Sequence, residues 1–221
     1  VDALDLLGPD VRLFGAPLDE AARVVVLLHG RDQDPGYVDE HVVRRIDDPS
    51  LGWVAPAAPG RTWYPVGFLS PLDHNQPALR HAELRLDRLG AQLGDLGFPP
   101  ERIVWCGFSQ GACLACHHLA RTTRRWSGLV AFTGGLIGPP GTGFSLAIGA
   151  EAGAGAGGFG GMPAYFGTGD ADPWVPEWRV RETAQAFAAA GAAVTLDVFP
   201  GRDHEICDAE IEALVALLAR A

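Results

Sequence analysis

The chain contains no lysine. Its 17 basic residues are all arginine, set against 27 Asp and Glu, for a formal net charge of −10. Arginine in every basic position reads as a mark of genomic base composition rather than of function. The acidic balance works against nucleic acid and anionic membranes as partners. Long apolar runs are missing too: no segment approaches a membrane span, and Val1 to Asp5 have neither the basic start nor the apolar core of a signal peptide. Stable membrane insertion is therefore not expected, and a cytoplasmic location is the default. The absence of an initiator Met leaves the native start open. Cysteine is sparse, and four residues make no disulfide framework. Zinc-ligand spacing is absent as well, since Asp203-His204-Glu205 has no second His four residues on.

What is present is a chain of 221 residues, 48% apolar, with six Trp. That suits one domain over residues 1–221 with a full core. Apolar strand-like runs fall at 11–14, 24–28, 52–55, 103–106, 128–132, 162–167 and 193–199. Helical patterns lie between them at 78–96, from the glycine-rich turn at 107–111 to about 120, at 184–190 and at 211–221. In the 78–96 helix the leucines form the apolar faces, while Arg80, Glu83, Arg85 and Asp87 fall on mostly polar ones. Strands alternating with helices predict an α/β fold, a mostly parallel sheet covered on both faces. No internal repeat is visible. Residues 141–161 are rich in Gly and Ala, too much so for a helical cap, and read as a mobile loop over an open site.

Gly107-Phe108-Ser109-Gln110-Gly111 follows the apolar run at 103–106 and opens a helix. This is the G-x-S-x-G arrangement of a nucleophile elbow, a strand, a sharp turn carrying Ser, then a helix. The strained turn needs small neighbours, hence the two glycines. The helix N-terminus behind it favours developing negative charge. Cys113-Leu114-Ala115-Cys116-His117 matches the haem-attachment spacing C-x-x-C-H, but it falls on this same helix, whose small residues pack against the sheet, and haem is rejected.

A Ser hydroxyl needs an adjacent base, and the base an acid to orient it. In such folds the order along the chain is Ser, then Asp or Glu, then His. The 162–167 strand runs into a loop with Asp170 and Asp172, and the 193–199 strand into Pro200-Gly201-Arg202-Asp203-His204. Ser109, Asp172 and His204 thus come to one edge of the sheet in the expected order. Asp172 is preferred because Pro173 stiffens the backbone behind it, with Asp170 as the competitor or a turn-capping residue. Asp203 reads as a solvated turn residue, and His41, His74 and His81 as exposed.

Acyl transfer also needs hydrogen-bond donors aimed at the oxygen that becomes negative. The N–H after the nucleophile, on Gln110, is one. The other is the N–H of Arg31, in the turn after the 24–28 strand, where Gly30 lets the chain come close. His29 reads as a structural strand-end residue. For the Arg31 guanidinium two readings stay open: it faces solvent, or it meets an acidic group on a substrate.

Leu28-His29-Gly30, the elbow pentapeptide, Asp172-Pro173-Trp174-Val175-Pro176 and Gly201-Arg202-Asp203-His204 together resemble the phospholipase/carboxylesterase family of α/β-hydrolases, from about residue 11 onward. The resemblance implies an α/β-hydrolase fold without a large cap domain. It further implies hydrolysis of carboxylic esters or thioesters without metal or organic cofactor, with Ser109, Asp172 and His204 as triad and Arg31 and Gln110 as oxyanion donors. By analogy with relatives, the apolar loop at 61–70 borders an acyl pocket, so Trp63, Tyr64, Phe68 and Leu69, with Trp174, are the candidate substrate contacts. Acyl-protein thioesterases carry a small, glycine-containing loop after His-Gly, whereas this chain has Arg31-Asp32-Gln33-Asp34-Pro35. The pattern is therefore nearer the small bacterial esterases, and short to medium acyl chains are expected. The partner is a small-molecule ester, and a homodimer is left open. A serine peptidase or lysophospholipase on the same fold, and a non-catalytic binding module, are the alternatives. Peptidases usually add a cap, and a module that had lost its chemistry would normally lack a triad residue.

Overall fold

The computed structural model describes residues 6–122, 124–144, 146 and 158–220. Seven strands form one sheet: β1 (Val11–Gly15), β2 (Arg23–Leu28), β3 (Leu51–Pro56), β4 (Ile103–Phe108), β5 (Gly128–Phe132), β6 (Pro163–Gly169) and β7 (Ala193–Phe199). Their spatial order is β1-β3-β2-β4-β5-β6-β7, with β1 antiparallel to β3 and every other pairing parallel. Five α-helices with both ends among the described residues accompany it: α1 (Pro35–His41), α2 (Ala78–Asp95), α3 (Gln110–Leu119), α4 (Glu177–Ala189) and α5 (Asp208–Leu218).

The central strands are apolar throughout because both sheet faces are covered. Along β2, Val24, Val26 and Leu28 point into a layer with α2, α3 and α4, where Leu79, Leu86, Cys116, Val180 and Phe187 lie. Val25 and Leu27 point the other way, towards Val38 of α1 and Ile211 and Leu214 of α5. From Val24 to Leu28 every β2 side chain is fully buried. The chain adds β3 on one side of β2 and then crosses to place β4 on the other. The order of the sheet therefore reverses between β2 and β4, and a crevice opens beyond the C-terminal ends of these strands, where open α/β sheets bind ligands.

The observed elements extend the sequence-derived ones at their polar ends. β4 continues to Phe108 and β6 to Gly169. α4 begins at Glu177, directly after Pro176, and its first turns are polar enough to hide it from a hydrophobic pattern. α5 begins at Asp208, where Cys207 and Glu210 form a capping box. Among the described residues no helix lies between β5 and β6. The glycine- and alanine-rich expectation for 141–161 falls largely on residues outside those described.

Glu83 corrects the reading of α2. Its side chain is only 4% exposed and takes contacts from His117 Nε2 at 3.1 Å, Arg80 at 3.3 Å and Arg121. A carboxylate turns inward here because three donors meet it, two of them from the neighbourhood of α3. Burial raises its pKa, but the hydrogen bonds from His117 and Arg121 more than offset this and hold it at about 2, against an ordinary 4.5. A depressed folded pKa gives stability that is present above pH 4.5 and is lost as the pH falls towards 2. Discounted for the half-exposed Arg121, the contribution is on the order of 2 kcal/mol. Glu83→Gln is expected to lower the neutral-pH melting temperature by about 4–8 °C. That gap should narrow as the pH drops below 4.5, and a gap independent of pH in thermal melts would contradict the assignment.

Candidate active site

Ser109 lies between the end of β4 and the start of α3 with φ 55° and ψ −120°, a left-handed conformation that L residues rarely adopt. Two glycines make it possible. A Cβ at Gly107 would lie 2.6 Å from the backbone of Gly111 and Ala112, and one at Gly111 would collide with the carbonyl oxygens of Leu28 and His29. The helix is thereby pressed against the end of β2. Ser109 N–H donates to Phe132 O at 3.0 Å, which fastens the turn to β5.

His204 reaches this serine from the loop after β7, with Nε2 2.8 Å from Ser109 Oγ. On the other side of the ring, Nδ1 lies 2.7 Å from Asp172 Oδ2, on the loop after β6. The second carboxylate oxygen of Asp172 accepts the backbone N–H groups of Trp174 (2.8 Å) and Val175 (2.9 Å), which fixes its orientation. The Asp172 side chain is fully buried and that of His204 is 17% exposed. Burial raises the Asp172 pKa, yet the bond from His204 and the two backbone donors outweigh it and hold the carboxyl below the ordinary carboxylate value. An ionised Asp172 can only accept, so Nδ1 carries the ring proton. Nε2 is then left with its lone pair towards Ser109, whose hydroxyl donates to it.

Asp170 does not take part in this chain of contacts. It is exposed and accepts Gly201 N–H at 2.6 Å, holding the turn of the adjacent loop. Asp203 is exposed and accepts the backbone N–H of His204. His74 and His81 are exposed, whereas His41 is half-buried, stacked on Tyr37 with ring centroids 3.9 Å apart. His29 is fully buried and uses both ring nitrogens: Ala58 N–H donates to Nε2 at 3.0 Å, so Nδ1–H donates to Gly30 O at 2.7 Å. Burial also lowers its pKa, which keeps it neutral.

The turn His29-Gly30-Arg31 lies against Ser109, for a Cβ on Gly30 would stand 3.2 Å from Ser109 Cβ. Among the described residues neither Arg31 N–H nor Gln110 N–H has a hydrogen-bond acceptor. Gln110 opens α3, where no carbonyl of a preceding turn can serve it. The Arg31 side chain departs from both open readings. Its guanidinium is tied to the protein's own loop, donating to Thr62 Oγ1 and to the carbonyls of Tyr64, Pro65 and Val66 at 2.9–3.0 Å while staying partly exposed at the rim of the site. The Gln110 side chain, which sequence reasoning left without a role, grips the same loop. Its Oε1 accepts Trp63 N–H at 2.9 Å, and its Nε2 donates to Tyr64 O at 2.8 Å. A loop of this kind leaves several backbone groups without partners, and only the fold reveals which side chains supply them.

A cleft of about 310 Å³ opens beside Ser109 and His204. Tyr64, Phe68, Phe108, Cys113, Trp174 and Val175 give it apolar walls, and Arg31, Asp32 and Gln33 a polar rim. Of the five candidate contacts, Tyr64, Phe68 and Trp174 line it, with Trp174 72% exposed. Trp63 and Leu69 do not. The Trp63 indole turns into the core, where its N–H meets His29 O at 2.9 Å, and Leu69 packs against the same core. Aromatic character alone marked both residues, and it serves core and pocket equally well. Cys113 and Phe108 were missed. Cys113 is four residues past Ser109 on α3, a spacing that puts it on the same helix face. Among the described residues no group of His, Cys, Asp and Glu suits a metal ion, and no helix is long and apolar enough to cross a membrane.

The parallel sheet with its switch point, and a serine at a left-handed strand-to-helix turn, define an α/β-hydrolase. Residues 14–220 match the family model described as Phospholipase/Carboxylesterase, and the chain belongs to that family. It is similar to a phospholipase/carboxylesterase from Dyadobacter fermentans, at 34% identity over 96% of this chain and 97% of the other, with a TM-score of 0.81. A Bacillus cereus carboxylesterase, 17% identical over 100% of this chain and 99% of its own, shares the fold with a TM-score of 0.74. Acyl-protein thioesterase 1 of Cryptococcus neoformans is 24% identical over 93% of this chain and 95% of its own length. The chain is thus a hydrolase of carboxylic ester bonds.

Because the Arg31 side chain braces the loop wall, its removal should act on all substrates alike. Arg31→Ala is expected to lower kcat/KM by about tenfold for neutral and for carboxylate-bearing esters, through a displaced wall. Hydrogen exchange at residues 62–66 should accelerate with it. A loss confined to anionic esters, with exchange unchanged, would restore the reading in which the guanidinium meets the substrate.

Proposed function

We propose that this enzyme hydrolyses short- to medium-chain carboxylic esters and thioesters through an acyl-enzyme formed on Ser109. The observation that carries the reading is the unbroken chain of contacts from Ser109 Oγ through His204 to Asp172. Ser109 Oγ attacks the acyl carbonyl while His204 Nε2 takes its proton, giving a tetrahedral oxyanion and an imidazolium held by ionised Asp172. The backbone N–H groups of Arg31 and Gln110 receive that oxyanion, helped by the positive end of α3. Collapse expels the alcohol or thiol, which takes its proton from His204. Water, deprotonated by the same nitrogen, then attacks the acyl-serine, and the second collapse releases the acid and regenerates the serine hydroxyl.

The cleft bears on acyl size. At about 310 Å³ it stands at the lower end of the roughly 300–1,000 Å³ found for small-molecule sites, with Cys113, Tyr64 and Phe68 among its walls. That favours acyl groups well short of palmitoyl, and so separates this chain from a lipidated-protein substrate despite its likeness to an acyl-protein thioesterase. Within this proposal residues 1–221 act as one domain, and the partner is a small ester.

Three measurements test the assignment. Ser109→Ala should lose ~10⁴–10⁶-fold in ester turnover with an unchanged melting curve. Asp172→Asn should lose ~10⁴-fold, because an amide cannot hold the imidazolium or its tautomer as a carboxylate does. Asp170→Asn should keep activity within about threefold, since an amide oxygen still accepts Gly201 N–H. The reverse ranking of the two Asp variants would move the acid to Asp170.

Acyl preference is read from a panel of p-nitrophenyl esters from acetyl to palmitoyl, run beside acyl-CoA and a peptide amide. The maximum of kcat/KM is expected among the short and medium chains, with the amide inert. Preference for palmitoyl would sink the size argument, and amide turnover the ester assignment.

A further inference from the structure

Beneath the three loops that carry Ser109, Asp172 and His204 lies a buried ion pair that the mechanism above does not use. Arg202 and Glu210 are 7% and 0% exposed, and the guanidinium meets both carboxylate oxygens, one of them at 3.2 Å. The same guanidinium donates to Cys207 Sγ at 3.2 Å and to Thr133 Oγ1 at 3.4 Å, and lies 4.4 Å from the centre of the Phe199 ring. Glu210 in turn accepts Cys207 N–H at 3.0 Å, capping α5.

Each contact leads to a different loop. Arg202 is two residues before His204, and its N–H is held by Phe199 O at the end of β7. Its own carbonyl accepts Ala171 N–H, next to Asp172, at 3.3 Å. Thr133 follows the last residue of β5, whose carbonyl accepts Ser109 N–H. Thr133 itself has φ 51°, a left-handed conformation strained for a β-branched residue, and its N–H donates to Gly167 O at 2.8 Å. The sheet is stripped of side chains to make room: a Cβ at Gly167 would strike the Glu210 carboxylate, and one at Gly169 the Arg202 carbonyl. A planar guanidinium suits this task because it presents donors in several directions from one rigid plane.

We propose that Arg202, held by Glu210, is a positioning residue that sets the mutual register of the Ser109, Asp172 and His204 loops. It touches no substrate. The proposal rests on the reading of those three residues as the reacting groups.

The experiment uses the full-length enzyme and a fluorophosphonate probe together with p-nitrophenyl butyrate. Labelling of the wild type mapped to Ser109 confirms the reading on which the proposal stands. Labelling elsewhere, or none, overturns that reading without reference to Arg202. The test proper is the double variant Arg202→Met with Glu210→Leu, which removes both charges and leaves neither partner buried alone, so the fold can survive. The expected result is a melting temperature near wild type, KM within about twofold, and both kcat and the rate of Ser109 labelling lowered by ~10–100-fold, as a displacement near 1 Å brings about. A folded double variant with wild-type kcat overturns the proposal. If that variant does not fold, Arg202→Lys decides the matter. It keeps the charge but cannot reach Glu210 and Thr133 together, so kcat should fall with KM unchanged, and an unaltered kcat overturns the proposal.

Discussion

The close approach of α3 to the end of β2 is the constraint on which the rest of the site depends. Gly111 lies directly against the carbonyls of Leu28 and His29, and no residue with a side chain can take that place. The approach forces the chain at Ser109 through a left-handed turn. That turn brings the first N–H of the helix beside the Ser109 side chain and presses the His29-Gly30-Arg31 turn against it. One packing contact between a helix and a strand end thus supplies a half-buried hydroxyl at the cleft and two N–H groups without acceptors among the described residues. The conformational cost, of order 1–3 kcal/mol for a residue held at positive φ, is carried by the parallel sheet on either side.

Electrostatics completes what packing begins. Asp172 is enclosed, and enclosure alone raises its pKa. Two backbone donors and His204 reverse that outcome and leave an ionised carboxylate aimed at Nδ1. The state of the imidazole follows from this without reference to any substrate. His29 shows the same logic used for an opposite end. There a backbone N–H donates into Nε2, burial keeps the ring neutral, and the residue ties the end of β2 to Ala58. Two histidines at strand ends are told apart by which partners take their nitrogens.

Much of this was legible in the sequence, and the reasons differ by element. The strand runs are readable because a two-sided parallel sheet demands continuous apolar residues, as at Val24 to Leu28. The elbow is readable because its glycines answer a local steric demand. Pro173 is what favours Asp172 over Asp170 in the sequence; in the fold Asp172 contacts His204, while Asp170 accepts Gly201 N–H. What could not be read is the direction in which long side chains turn. Glu83 looked like a surface residue of α2, yet its partners His117 and Arg121 lie some 35 positions away in sequence. Trp63 and Tyr64 are adjacent and equally aromatic, and the fold sends one into the core and the other into the cleft wall. Neither reading left open for the Arg31 guanidinium, solvent or an acidic substrate group, included the 62–66 loop, because most of its acceptors are carbonyls, which carry no signature in sequence.

Those carbonyls explain why the wall of the cleft and the proposed oxyanion donors cannot be considered separately. Arg31 and Gln110 each present an N–H beside Ser109, and each sends its side chain to the loop at 62–66. The Tyr64 carbonyl accepts from both. A change in the wall that moves this carbonyl therefore pulls on the two residues that would hold the oxyanion. A better fit for a larger acyl group, obtained by shifting the loop, would come with a looser hold on the transition state. Binding and turnover are coupled here through covalent continuity, from a side chain that builds the pocket to the backbone N–H of the same residue. A substitution at a wall residue such as Phe68, which leaves the 62–66 carbonyls in place, is the route by which acyl preference can change with less effect on rate.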